Sequence, residues 1–303
     1  MRARANLVPI CVALTGLASF SVMDGVMKAA SIAVGAYAAL FWRNLFGAIL
    51  MTPVWVTVQR RNGGRWLPPL RVLRLHLARS ALAGVMAVLF FWGTIYTPLA
   101  EAMALSFIAP LIALFLAAVF LGEQVKPRAF GGSVLALVGV AVIAAGKFGV
   151  HHSPMALLGV AALLTSAVLY AGNLVIQRHQ AQLAGPDEIA FFQNVFITVL
   201  FAPGAWWLAS LPTGHQIVLV GCGAVLAVTS LMLLGWAYAR AEAQVLVPLE
   251  YTAFLWAALV GWLMFAEPVT ARTMAGVVLI VTGCLIAIST RTVPGDNCQP
   301  NPA

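Results

Sequence analysis

Charge is what this chain is short of. Only 9% of its 303 residues are Asp, Glu, Lys or Arg, against roughly a quarter in an ordinary soluble domain. So little charge does not cover a water-facing globular surface, and with 62% hydrophobic residues the chain reads as an all-α integral membrane protein. Acidic groups are scarcest, nine against seventeen basic ones. The resulting net charge of +8 does not indicate nucleic acid, because the basic residues are scattered through short loops and form no basic helix or aromatic-basic platform. Cysteine is also rare. Cys11, Cys222, Cys284 and Cys298 make no CxxC or metal spacing, and those in apolar runs read as buried small hydrophobes. His76, His151, His152, His179 and His215 are expected in loops or at helix ends, so neither a metal nor a cofactor is expected. HExxH, GxSxG and P-loop signatures are missing as well. A membrane-embedded enzyme is therefore kept only as the alternative from another class.

What is present is a series of apolar runs long enough to cross a bilayer as helix. Ten spans are predicted, near 7–27, 33–58, 75–96, 99–121, 128–146, 154–176, 188–208, 216–237, 244–265 and 270–289. Arg2 and Arg4 precede the first run, which resembles a signal peptide, but the run continues to Met23 and nine spans follow, so an uncleaved helix is expected. Lys and Arg are retained in cytoplasmic loops. With the N-terminus inside, only Lys28, Lys147 and Arg272 fall in outside loops, while Arg60, Arg61, Arg65, Arg71, Arg74, Lys126, Arg128, Arg178, Arg240 and Arg291 fall inside. Both termini are thus expected in the cytoplasm, with residues 292–303 a short disordered tail.

The spans repeat. Glu123, Arg128, Gly132 and Gly139 recur as Glu267, Arg272, Gly276 and Gly283, each 144 residues later. Glu101 recurs as Glu242, and Gly35, Phe41, Asn44, Phe46 and Pro53 as Gly185, Phe191, Asn194, Phe196 and Pro203. The unit is five helices, 1–150 and again 151–291. An odd number inserts the second copy the other way round, so two inverted five-helix repeats are expected, the layout of carriers that open a central site to either side in turn.

Ionisable residues within spans are expensive in lipid and mark either internal pairs or a solute path. Arg43 lies in the second span, and its repeat mate is the neutral Gln193. It either holds an anionic part of a solute or pairs internally with Asp24, near the outer end of the first span. Lys28, one turn after Asp24, is expected to neutralise it at the interface. Asp24 lines up loosely with Asn173, and Ser21 with Tyr170. Glu250 is the strongest single candidate, because it stands in PLEYT with no basic residue nearby and two residues after Pro248, which removes a backbone donor. Pro110 is expected to break the fourth span similarly. Glu101 and Glu242 open their helices, where the helix dipole favours a carboxylate, and they remain coupling candidates with Asp24 and Glu250. Glu123 and Glu267 read as turn anchors, and Arg79 as snorkelling to the headgroups. Trp92, Tyr251 and Trp256 are the favoured cavity walls among the aromatics.

The FWRN of the second span, AEAMALSFIAPLIA followed by LGE, and YTAFLWAALVGWLMFAE resemble the drug/metabolite transporter superfamily, EamA-type, over nearly the whole chain. Proteins of this kind export amino acids, drugs and opine-type metallophores or import riboflavin or S-adenosylmethionine. The resemblance implies a multi-pass secondary transporter of a small organic metabolite in a bacterial inner membrane, by alternating access. An exporter of an amino-acid-like solute is expected, with import of a vitamin or nucleoside-like solute as the alternative. The partners are the solute, the bilayer and a coupling proton, in a monomer or homodimer. Arg43 would hold a carboxylate and Glu250 an amine or the proton. Gln193, Asn194, Tyr251, Trp92 and Tyr170 would shape the cavity.

Overall fold

The computed structural model describes residues 7–62, 66–121, 127–146, 154–241, 246 and 249–288. Among them it forms eleven α-helices and no strand: α1 Leu7–Val34, α2 Ala36–Asn62, α3 Leu70–Tyr96, α4 Leu99–Ser106, α5 Ala109–Leu121, α6 Pro127–Ala145, α7 Pro154–Gln180, α8 Pro186–Leu208, α9 Gly214–Tyr238, α10 Ala253–Phe265 and α11 Ala271–Ile288. A helix satisfies every backbone donor and acceptor within its own segment, which is what lipid demands. Six helices, α1, α2, α3, α7, α8 and α9, are long and apolar enough to cross a membrane, and the others are shorter apolar helices. The predicted tail at 292–303, the loop at 147–153, Glu123, Glu242 and Pro248 lie outside the described residues.

Local chemistry sets the ends. The first helix runs past its predicted end near residue 27 to Val34, where Gly35 takes a φ of +82° that costs little without a Cβ. Asp24 is consequently well inside the helix instead of near its end. Pro186 supplies the first residue of α8, where its missing N–H is no loss. Thr213 and Gln216 close a reciprocal cap on α9.

The fourth span is broken, as the sequence suggested. Phe107 and Ile108 donate to the carbonyls three residues back, Ala104 and Leu105. Pro110 has no N–H to offer Ser106, so the regular ladder stops between α4 and α5. The ninth span breaks in the same register: Thr252 donates to Leu249 and Leu255 to Thr252, just as Ile108 donates to Leu105 and Leu111 to Ile108. That second break falls at Tyr251 and Thr252, immediately after Glu250.

Packing pairs α1 with α9, α3 with α7, α2 with α8 and α6 with α11. α5 lies on α7 and α10 on α1, while α3 also meets α8 and α9 meets α2. The α6–α11 pair is close because glycines face each other: a Cβ on Gly139 would stand 2.6 Å from the Gly276 carbonyl, and one on Gly276 2.9 Å from the Gly139 carbonyl. Such small-residue crossings compensate for the missing hydrophobic drive between helices in lipid. At one end of the molecule α1 also packs on α3 and α10 on α4. Among the described residues no comparably broad contact joins α7 to α9.

Candidate functional site

Four charged side chains, Asp24, Arg43, Arg79 and Glu250, come from four segments of the apolar bundle. Asp24 of α1 is 2% exposed, and its Oδ2 has no hydrogen-bond partner. The expected neutralisation by Lys28 does not occur, since the Lys28 side chain is drawn away to other partners described below. Arg43 of α2 lies within electrostatic reach of Asp24 but forms no ion pair with it; among the described residues its hydrogen-bond contact is Nη1 to the Met23 sulfur at 3.9 Å. Arg79 of α3 is 6% exposed. It does not snorkel to the surface: Nη2 donates to Gln177 Oε1 of α7 at 3.3 Å, and its Nε is buried without a partner. Glu250 keeps open surface and accepts a short hydrogen bond from the Tyr238 hydroxyl at the end of α9.

Tyr170 of α7 joins these groups. It stands within electrostatic reach of Glu250, Arg79 and Asp24 together, and Tyr238 is a neighbour too. Tyr251 borders Glu250 and packs edge-on against Phe107 at 5.2 Å, so the two helix breaks touch. Trp256, half-buried beside this cluster, has an indole N–H without a partner. Tyr170 thus links Asp24, Arg79 and Glu250 electrostatically, and Arg43 joins them through Asp24. None of the four charges is in an ion pair with another.

The other predicted residues are placed differently. Asn194 turns its amide to the Ala190 carbonyl at 2.8 Å, as Asn44 of α2 does to Leu40 at 2.7 Å. It also presses on Gly47 across the α2–α8 crossing, which leaves it in packing. No hydrogen bond or electrostatic contact among the described residues joins Gln193 to the four charges. Trp92 packs edge-on with Tyr96 at 5.1 Å, half-buried beside the α1–α2 core cluster. Pro110 belongs to the helix break and not to the polar space. Cys284 is buried as expected, but Cys11 and Cys222 are exposed on the bundle exterior.

Two polar clusters that sequence reasoning missed close opposite ends of α3. Lys28, 3% exposed, forms a short ion pair with Glu267 and donates to the Thr97 carbonyl at 2.8 Å, with the Phe265 ring 5.0 Å away. Glu267 Oε2 accepts from the Leu99 backbone N–H, the first of α4, at 2.7 Å. Glu101, in the first turn of the same helix, accepts from Thr273 of α11 at 3.0 Å. These bonds tie the ends of α1 and α10 to the α3–α4 junction, so Glu267 is a cross-link and not merely a turn anchor. Ala266, beside it, adopts a left-handed φ of 50°, a costly conformation for a residue with a Cβ. At the far end His76 sits inside α3, buried, and not in a loop. Its Nε2 lies 3.0 Å from Glu188 Oε1 of α8 and its Nδ1 2.6 Å from Gln180 Nε2 of α7. Nothing in the spacing of Lys28 and Glu267, or of His76 and Glu188, hinted at either contact, because their partners lie 239 and 112 positions apart in the chain.

Helix breaks beside unpaired charges in an apolar bundle are the features of a carrier site. The model of the EamA-like transporter family matches this chain twice, over residues 7–145 and 157–289. The chain belongs to the EamA-like transporter family. Among EamA-like relatives, the pseudopaline exporter of Pseudomonas aeruginosa is 30% identical over 278 residues, covering 90% of this chain and 93% of that protein. A riboflavin transporter of Brucella anthropi is 26% identical, covering 81% of this chain and 85% of its own. An S-adenosylmethionine uptake transporter of Rickettsia bellii is 24% identical, with 91% of each covered. A solved crystal structure shares the fold, with a TM-score of 0.64 at 18% identity over 95% of this chain and 100% of that one. The chain is a membrane transporter of the small-metabolite class.

Proposed function

We propose that this transporter is a secondary carrier of the bacterial inner membrane that exports a small zwitterionic metabolite by alternating access. The observation that carries it is the set of charges Asp24, Arg43, Arg79 and Glu250 in the apolar bundle without ion pairs among them. Charges held in lipid without partners are costly, and a solute of complementary charge removes that cost. Arg43 holds a carboxylate, and Glu250, positioned by Tyr238, holds an amine or the coupling proton. Export is favoured because the exporter relative shares more identity than the two uptake relatives. Import remains the second reading on account of those relatives.

Residues 1–150 and 151–291 act as inverted repeats. Supporting this, exchange of the two copies maps the contact of α1 with α9 onto α7 with α3, α5 on α7 onto α10 on α1, and α3 with α8 onto α9 with α2. The contact of α1 with α3 has no equally broad counterpart between α7 and α9, as expected when one side is closed. With both termini cytoplasmic, the Lys28–Glu267 end is the outer one, and the structure stands in an inward-facing state.

The test is a solute panel with purified protein in liposomes, under imposed proton and sodium gradients of either direction. Amino-acid-like solutes moving outward in response to a proton gradient support the proposal, and riboflavin or S-adenosylmethionine uptake replaces it with the second reading. Glu250→Gln is expected to lower proton-driven flux at least tenfold and to flatten its pH dependence. Unchanged flux and an unchanged pH profile in that variant exclude Glu250 from coupling.

A further inference from the structure

The end of the bundle where α2 stops and α3 starts carries a concentration of charge that the carrier interior does not use. No Asp or Glu occurs between Gly25 and Ala100, yet Arg60 and Arg61 stand in the last turn of α2 and Arg71 and Arg74 in the first turns of α3. The two helices are consecutive and pack on each other, so these arginines belong to one end. All of them are exposed, and among the described residues none is in an ion pair or a side-chain hydrogen bond. The acids at this end, Asp187 and Glu188, come from the first turn of α8, and Glu188 is taken up by His76 on the buried side of α3. Exposure along α3 shows which way its arginines face. His76, Arg79 and Ser80 are buried, whereas Leu70, Arg74, Leu77, Ala81 and Val85, three or four residues apart and so on one face, are exposed, as is Arg71. The face turned away from the bundle therefore starts with two guanidiniums and continues as an apolar track. From Arg74 to Val85 the helix rises roughly 16 Å, about half of the ~30 Å hydrocarbon layer and so the depth of one leaflet. Trp66, exposed and edge-on to Trp55 at 5.6 Å, adds an aromatic ring of the kind favoured at headgroup level.

We propose that this outer face of α3 is a binding site for an anionic phospholipid, with the phosphate held by Arg71 and Arg74, the positive field strengthened by Arg60 and Arg61, and an acyl chain laid along Leu77, Ala81 and Val85. Charge and shape both select this occupant. A guanidinium meets phosphate oxygens with paired donors in a fixed plane, and basic clusters at the membrane boundary attract acidic headgroups. A free phosphate or a nucleic acid would use the arginines and leave the apolar track empty. A lipid with no net charge would use the track and leave the cations without a counter-charge. The site lies on the side of α3 opposite Arg79, so it depends neither on the solute nor on the direction of transport.

The probes are phosphatidylglycerol and phosphatidylcholine with identical acyl chains, titrated into purified full-length protein in detergent and counted on the protein by native mass spectrometry. Phosphatidylglycerol is expected to fill one site at least tenfold more tightly than phosphatidylcholine. The pair Arg71→Gln with Arg74→Gln is expected to bring that ratio to within about twofold, and Arg71→Lys with Arg74→Lys to keep part of it, since a point charge replaces a two-pronged donor. Arg240→Gln removes a different exposed arginine, one stacked on the Trp236 ring at 4.2 Å, and is expected to leave the ratio unchanged. Glycerophosphoglycerol, the same headgroup without chains, is expected to compete at least tenfold less well than the lipid, and a short oligonucleotide not at all. Equal affinities for the two lipids, a ratio that survives the Arg71 and Arg74 pair, a ratio that falls as far in Arg240→Gln, or displacement of the lipid by glycerophosphoglycerol or oligonucleotide at matching concentration would each overturn the proposal. The unaltered protein decides the first and last of these outcomes even where the arginine pair fails to fold.

Discussion

At the scale of single residues, intramembrane charges divide into those already compensated and those left open. Lys28 belongs to the first group. With Glu267, the Thr97 carbonyl and the Phe265 ring it has a full set of partners, and removing one member of a buried pair leaves the other charged and unmatched. Lys28→Met is expected to cost about 3–5 kcal/mol of stability, and the double variant Lys28→Met with Glu267→Gln to regain most of it, because no isolated charge then remains. Denaturant or thermal unfolding in detergent checks this, and a single variant as stable as the unaltered chain would count against it. Glu250 and Arg43 belong to the second group, and both were legible in the sequence because an ionisable residue in an apolar run is visible without coordinates. Arg79 was legible as a charge but misplaced: its distance from the helix start suggests snorkelling, and only the neighbouring α7 shows that it points inward to Gln177.

At the scale of helices, two devices shape the molecule: glycine crossings and matched breaks. α6 and α11 approach closely only because Gly139 and Gly276 face each other's backbones. A Gly139→Leu substitution is expected to push these helices apart at a cost of about 1–3 kcal/mol or more and to lower the yield of monodisperse protein. Gly131→Ala, on the same helix with nothing within 4 Å of the added carbon, is the harmless control. Size-exclusion profiles of the two variants decide it, and equal behaviour would show that the crossing is not tight. The breaks were half legible. Pro110 announces the one in the fourth span; in the ninth the described turn is at Tyr251 and Thr252, while Pro248, where the sequence placed the break, lies outside the described residues. The span register was readable from apolar runs, whereas the end of α1 depended on the φ of Gly35 and lay several residues beyond the loss of strong hydropathy.

For the whole molecule, the question is which side of the interior is sealed. Lys28, Glu267, Thr97 and Leu99 bind four segment ends together at one side, and α1 touches α3 there. With Cys11, Cys222, Cys284 and Cys298 replaced by Ala or Ser so that no other thiol takes a label, spin labels on cysteines replacing Ile32 and Tyr96, both exposed, are expected to report one short, narrow distance in the protein with Lys28 and Glu267 unaltered. In the Lys28→Met, Glu267→Gln double variant a second, longer population is expected. An identical narrow distance in both proteins would mean that this cluster does not hold the side shut. The cross-link joins residues 239 positions apart in the chain, so no local spacing could have announced it, and the same is true of His76 with Glu188.

The amino-acid sequence by itself determined that this is a helical membrane protein matched twice by one family model, because hydropathy and recurring residue patterns are properties of the chain read in one dimension. It also showed which charged residues interrupt apolar runs. The tertiary structure decided which of those charges are neutralised and which are open. Whether a buried Lys, Arg, Asp or Glu has a partner depends on atoms a few ångströms away that come from another helix, and where the partners are 239 positions apart, as in Lys28–Glu267, or 112, as in His76–Glu188, that information is not carried by neighbours in the sequence.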